Sequence, residues 1–367
     1  MRPRAAPRAL LIWLAAAVVA AGMGILPVDA QQATAQPVPG LKGIGDLSCA
    51  PDGSCLGVGL TPQDVGAVVV LKAGAPPGPV RPVPGTERLG SITCPAGGNC
   101  IAVGAAAGQG MVVEVARDGT PGAARSVPGV TTLFDVACPT ATTCIATGGL
   151  TVDVLAYPYV ATVPRFTVIE NGQPGPALDF PRRSGRVFGI ACPSATTCLA
   201  VFPGGVVVLR HANGTWTAQL APRTPGAAGP LEQISCSAST ICYATSAAFI
   251  PSGDVFYGVP GFYGVPAIVP VSPDGVVGPV QILTTLSGIA FNISCVPGRA
   301  CTVVGQSNVP PAAGLAVDVV RGTPTAITMW PEVNHLSTVS CVAPATCGVA
   351  GSRVNTAYFV WHGPVPS

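Results

Sequence analysis

Charge is scarce in this chain. Only 9% of its 367 residues are Asp, Glu, Lys or Arg, and Lys42 and Lys72 are the only lysines. Without a basic cluster it lacks the electrostatic footprint that nucleic acid or an anionic membrane requires, and neither is expected as a partner. Histidine is almost missing too. His211, His335 and His362 are too few to complete zinc sites, and the paired cysteines have five residues between them rather than the two to four of zinc ligands. The chain is therefore assigned no metal and no cofactor. After residue 30 no apolar run is long enough to span a bilayer, and none holds a helical apolar period over a dozen residues.

Arg2, Arg4 and Arg8 precede an apolar run from Leu10 to Leu26, and small residues follow at Val28-Asp29-Ala30. This order predicts a secretory signal peptide over residues 1–30, cut after Ala30. The alternative is an uncleaved anchor helix, because the run is long for a signal core. Removing Arg2, Arg4, Arg8 and Asp29 from the 18 basic and 16 acidic residues leaves 15 of each, so the expected mature domain, 31–367, has no net charge.

What the chain has in abundance is glycine and proline, 46 and 40 residues. They alternate with short Val-, Ile- and Thr-rich runs, the composition of many short strands joined by tight turns. Cysteine sets the period. All 14 cysteines fall in C-x5-C pairs: Cys49/Cys55, Cys94/Cys100, Cys138/Cys144, Cys192/Cys198, Cys236/Cys242, Cys295/Cys301 and Cys341/Cys347. Successive first cysteines are 45, 44, 54, 44, 59 and 46 residues apart. Seven identical pairs mean seven repeats.

Four strands can be traced in each repeat. One leads into the first cysteine ("LGSITC", "LFDVAC", "VFGIAC"), and the second cysteine starts another ("CIAVG", "CIATG"). A third ends in a Gly-containing hairpin turn ("GGVVVLRHANG"), and a fourth is short and often closed by proline, which suits an outer sheet edge. Four antiparallel strands in 40 to 45 residues is the size of one propeller blade. The expected fold is thus all-β, a seven-bladed β-propeller with four antiparallel strands per blade. The residue before each first cysteine is always small and the one before that always apolar, as the crowded inner strand demands. The seventh repeat stops after its third strand, "TAYFVWHG", whereas "TAQPVP" near the start matches the fourth strand "TAQLAP" of repeat four. Residues 33–39 are therefore expected to complete the last blade.

The repeat I-[ST]-C-P-x4-C-x-A-[VT]-G resembles the cysteine-paired blade repeats of secreted bacterial propeller proteins. The resemblance covers residues 33–363 and implies a fold more firmly than an activity. "HANGTW" invites comparison with the Asp-boxes of sialidases, but the leading Ser and Asp are absent, and the segment reads as an ordinary Asn-Gly hairpin.

Facing positions of a short hairpin lie within disulfide reach, so each C-x5-C pair is expected to close on itself. Each staple contributes roughly 2 kcal/mol at most, since the loop is small.

Three sets of residues are candidates for function. Three before each first cysteine stand Asp46, Ser91, Asp135, Gly189, Gln233, Asn292 and Thr338, and the six polar ones form a ring that would line or cap the central channel. Asp46 and Asp135 would there hold a cation or small polar ligand, unless the ring simply hydrates the tunnel. The two longest repeats carry insertions between the second and third strands, over 148–163 and 246–266. They gather Tyr157, Tyr159, Phe249, Phe256, Tyr257, Phe262 and Tyr263, and are expected as two aromatic loops on the face opposite the cysteine hairpins. Clustered exposed aromatics serve recognition of sugars or proteins, unless the loops fold back and bury them. Glu332 and His335 are a conceivable acid/base pair; His211 and His362 are expected to be solvated turn residues. No catalytic residue is assigned.

Together these features predict a protein that is secreted, extracellular or held in the cell envelope, monomeric, and acting as a binding or adhesion module for a glycan or a protein. The alternatives are a glycoside hydrolase or lyase at the channel mouth, which would need paired carboxylates or an arginine cluster, and a structural envelope protein.

Overall fold

The computed structural model describes residues 34–153, 160–181, 185–222, 230–238, 240–256 and 259–364. The expected signal peptide lies outside them. Seven antiparallel sheets form a propeller ring; six run from an inner to an outer strand in chain order, and the seventh takes its outer strand from near the start of the chain. The inner strands are Gly43–Cys49, Arg88–Thr93, Thr132–Ala137, Gly189–Ser194, Ile234–Ala238, Gly288–Val296 and His335–Ala343, in blades one to seven. No helix among the described residues is long and apolar enough to cross a membrane.

The N-terminal strand completes the last blade. Gln36–Val38 pairs antiparallel with Thr356–His362, with Gln36 opposite Phe359 and Val38 opposite Ala357. The Ala35 N–H adds a bond to Glu332 Oε1 at 3.2 Å. Glu332 is thereby committed to ring closure, and His335 finds Ser352 Oγ at 3.4 Å instead. The two do not form the acid/base pair that their spacing suggested.

Second and third strands are buried on both faces, as in Cys55–Gly59 and Ala67–Val69. Their continuous apolar runs follow, because each blade packs a neighbour on either side.

All seven expected disulfides are present, with Cα–Cα distances of 3.9 to 4.1 Å. They differ in one respect from simple surface clips on a hairpin: each is lopsided. The first cysteines, Cys49, Cys94, Cys138, Cys192, Cys236, Cys295 and Cys341, are partly exposed at the ends of the inner strands. The second cysteines, Cys55, Cys100, Cys144, Cys198, Cys242, Cys301 and Cys347, are all buried, none more than 4% exposed. Their strands are the ones sandwiched between blades, so each sulfur enters the apolar cluster shared with the preceding blade. Cys55 packs with Phe359 and Trp361 of blade seven, Cys100 with Leu56 and Val58 of blade one, and Cys144 with Ile101 and Val103 of blade two. Cys198 joins Ile145 and Phe166 of blade three, and Cys242 joins Leu199 and Val201 of blade four. Cys301 meets Tyr243 and Ile268 of blade five, and Cys347 meets Val304 and Ala316 of blade six. The loop-closure expectation, roughly 2 kcal/mol at most, therefore leaves out half of what a staple does. Its buried sulfur also helps hold two blades together.

The glycine of the repeat motif has a steric cause. In five blades the inner strand bulges, skipping Gly45, Gly90, Phe134, Phe291 and Ser337. A Cβ on Gly59, Gly104, Gly148, Gly305 or Gly351 would overlap the carbonyl oxygen of Gly43, Arg88, Thr132, Ile289 or His335 across that bulge. Blades four and five carry Phe202 and Ser246 at this place, and their inner strands start later, at Gly189 and Ile234.

Outer strands alternate in length. They run six to eight residues in blades two, four and six, but shrink to pairs such as Arg81–Pro82 and Gln281–Ile282 in blades one and five. In blade three the edge is split into Gln173–Pro174 and Leu178–Asp179. Short, proline-interrupted edges offer little template for pairing with another chain.

The two insertions are strands rather than loops. In blade three Thr143–Asp153 and Val160–Glu170 run together, and in blade five Ile241–Phe256 pairs with Val259–Val271 as far as Phe256 opposite Val259. A two-stranded ribbon beyond the sheet leaves each strand an unpaired side, which accommodates Pro251 and Pro260.

Candidate functional site

The chain alternates direction strand by strand, so the disulfide hairpins lie on one face of the ring. The turns between second and third strands, both long ribbons and the starts of the inner strands lie on the other. This ribbon-bearing face surrounds one mouth of the central channel.

Inside, the channel encloses a cavity of roughly 330 Å3, lined by Asp46, Ser91, Asp135, Gln233 and Asn292 among others. Of the ring of six, Thr338 is fully buried and acts through Asp46. The five bulges explain why these side chains converge, since a skipped residue re-aims the next one. Asp46 is saturated. Its Oδ1 accepts from the Leu47 N–H and Thr338 Oγ1, both at 2.8 Å, and its Oδ2 from the Ile92 N–H at 3.0 Å and Ser91 Oγ at 2.9 Å. It thus ties together blades seven, one and two. Asp135 does the same for blades two, three and four, through Ser91 Oγ at 2.7 Å, the Val136 N–H at 2.9 Å and the Ile190 N–H at 2.8 Å.

Ser91 therefore stands between two carboxyls. A hydroxyl has one proton, so with both acids ionised one contact would lack a hydrogen; a proton held on Asp135 completes it. Burial, then the charge of Asp46, pushes Asp135 up to about 7, and burial also raises Asp46. Among the described residues no group of three His, Cys, Asp or Glu is placed to hold a metal ion.

The serines before the first cysteines carry a second ring of bonds. Ser48, Ser235, Ser294 and Ser340 accept the N–H of Cys94, Cys295, Cys341 and Cys49 in the next blade, at 2.9 to 3.1 Å. Small size is only half the reason for serine there.

At the mouth, above this ring, lies a group that the sequence patterns did not single out. Arg88 and Arg186 both stand six residues before a first cysteine, in blades two and four, and both are exposed. The Arg186 guanidinium sits 4.2 Å from the centre of the Phe134 ring and 5.2 Å from that of Phe188. Its partial burial, then the charge of Arg88, lower its pKa. Arg88 Nη2 donates to Thr132 Oγ1 at 3.1 Å. Elsewhere on the rim burial raises the pKa of Glu232 and lowers that of His335, and Phe291 meets the His335 ring edge-on at 6.0 Å. Aligning the repeats on their cysteines would have exposed the Arg, Thr, Arg sequence at this place.

Of the seven aromatic candidates, Phe249 is 66% exposed on the blade-five ribbon. The backbones of Phe256, Phe262 and Tyr263 belong to that ribbon, whereas their side chains, and all of Tyr157, Tyr159 and Tyr257, lie outside the described residues. Of the remaining histidines, His362 departs from expectation, whereas His211 is exposed beside its hairpin turn as expected. His362 is 11% exposed and bonds Asp318 Oδ2 at 2.9 Å against the edge of Trp330. His211 stacks on Trp216 with ring centres 5.2 Å apart.

No protein-family model matches the chain, and no curated protein matches it in sequence. Among solved structures it is similar to the Pan2 WD40 domain of Neurospora crassa, with a TM-score of 0.60 over 91% of this chain and 95% of that one. At 10% identity the likeness speaks for architecture alone, and with the seven stapled sheets it identifies the chain as a seven-bladed β-propeller.

Proposed function

We infer that this propeller is an extracellular or cell-envelope binding module that recognises a glycan or a protein on its ribbon-bearing face. The observation that carries the inference is the pair of long ribbons from blades three and five, which rise on the same face as the channel mouth, one of them bearing exposed Phe249. Exposed aromatics on a rigid platform suit recognition, because rigid rings lose little entropy on contact. Seven disulfides support export, since such pairs persist in oxidising compartments, and the expected signal peptide agrees. Binding is preferred to hydrolysis because the oxygens of Asp46 and Asp135 are engaged by the ring's own donors, leaving no free carboxylate pair in the channel among the described residues. A glycan and extracellular-protein array, probed with the mature domain and with Phe249→Ala and Tyr263→Ala variants, tests this. Binding weakened by these substitutions is expected; binding to nothing, or binding that ignores both, would reject the face.

A further inference from the structure

We propose that the blade-two to blade-four sector of the channel mouth binds the carboxylate of an acidic sugar, with Arg88 and Arg186 as its cationic clamp. Three observations converge on this. First, the Arg186 guanidinium is held by the Phe134 and Phe188 rings and not by an acid, and among the described residues its N–H donors have no acceptor. Ring stacking fixes the plane of the guanidinium while leaving its edge open, which preorganises a fork for a carboxylate. Second, Arg88 stands close enough to depress Arg186, and among the described residues neither is paired with a carboxylate. Two cations near one another in a chain so poor in charge are offset best by an anionic ligand.

Third, the well below the clamp is walled mainly by hydroxyl, amide and backbone groups. Gln233 Oε1 and Asn292 Nδ2 line it with no protein partner among the described residues, their other amide atoms being used by the Phe188 carbonyl and the Ile293 N–H. Such walls suit the hydroxyls of a sugar ring; a peptide anchor would ask for apolar pockets. Asp46 and Asp135 lie at the well, but their oxygens are engaged by the ring's own donors. Glu232, on the neighbouring blade-five rim, is the acid that a ligand would have to avoid.

The assignment rests on the ribbon-bearing face being a binding surface, and calorimetry on the mature domain separates the two. Oligogalacturonate is expected to bind at low salt, at least tenfold more tightly than its methyl ester or dextran. Arg186→Ala and Arg88→Ala should each cost at least tenfold with an unchanged melting temperature, and Arg186→Lys should recover little. The methyl ester tests the charge on the ligand alone, so a variant that fails to fold does not leave the question open. Equal affinity for oligogalacturonate and its methyl ester would overturn the proposal, as would tighter binding of poly-glutamate or dextran sulfate. Binding of a neutral glycan that depends on Phe249 and ignores both arginines would retain the binding face and remove the clamp.

Discussion

Asp46 and Thr338 are 292 residues apart in the chain and 2.8 Å apart in space. Their bond joins the first blade to the last at the channel wall, and the same carboxylate reaches blade two through Ile92 and Ser91. Replacing Asp46 by Ala strands two backbone N–H donors. It should cost about 3 kcal/mol in guanidinium unfolding, against about 1 kcal/mol for Thr338→Val. Equal, negligible effects would mean that the ring of bonds is not a structural tie.

Stability should fall as pH rises from about 4 to 7. The Asp135 carboxyl is raised from 3.8 to about 7 by burial and the Asp46 charge. Below this window folded and unfolded chains both hold the proton. Within it only the folded chain does, so deprotonating conditions favour unfolding, and above it the penalty is constant. The raised Asp46 acts with the same sign. The melting temperature is therefore expected to be higher at pH 5 than at pH 8, and Asp135→Asn should flatten that difference.

Glycine substitutions should separate bulge positions from ordinary ones. Ala at Gly104 sets a methyl group against the Arg88 carbonyl and should cost about 3 kcal/mol. Ala at Gly43, where a Cβ would meet nothing within 4 Å, should change stability by no more than about 0.5 kcal/mol. Thermal melts of the two variants check this directly.

Deleting residues 34–39 removes buried Ala35 and Val38 and uncovers the edge of Thr356–His362. A loss of roughly 3 kcal/mol or more is expected, together with self-association through the bared edge. Glu332→Ala, which among the described residues loses only the Ala35 bond, should cost about 1 kcal/mol. Light scattering and melting of both variants test the closure.

Asp318 and His362 form a pair across blades six and seven, with Thr302 Oγ1 donating to the same carboxylate at 2.7 Å. Removing one buried partner leaves the other unsatisfied, so Asp318→Ala should lower stability by about 3 kcal/mol. An exposed turn histidine would predict no such loss.

Much of the architecture is legible before folding because it is written in local spacing. A C-x5-C pair closes within its own hairpin, and a missing fourth strand at one end matches a spare strand at the other. That the second sulfur of each pair is buried against the preceding blade is not legible, since the wall it meets comes from another repeat. The motif glycine is visible as a pattern, but its cause is not: the carbonyl it avoids belongs to the facing strand of a bulge. The serines before the cysteines look merely small until the next blade brings a backbone N–H to 2.9 or 3.0 Å. Where the insertions suggested loops, prolines and glycines hid a ribbon whose free sides tolerate them.

By itself, then, the amino-acid order determines the number of blades, the staples, the closure and the place of the two long repeats, since each depends on neighbours in sequence or on strict repetition. The Asp46–Ser91–Asp135 network and the Arg88–Arg186 clamp are decided only in the closed ring. Arg88 and Arg186 lie in different repeats at ordinary spacing, and it takes three inner strands converging on one axis to set two cations, two aromatic rings and a polar well around the same mouth.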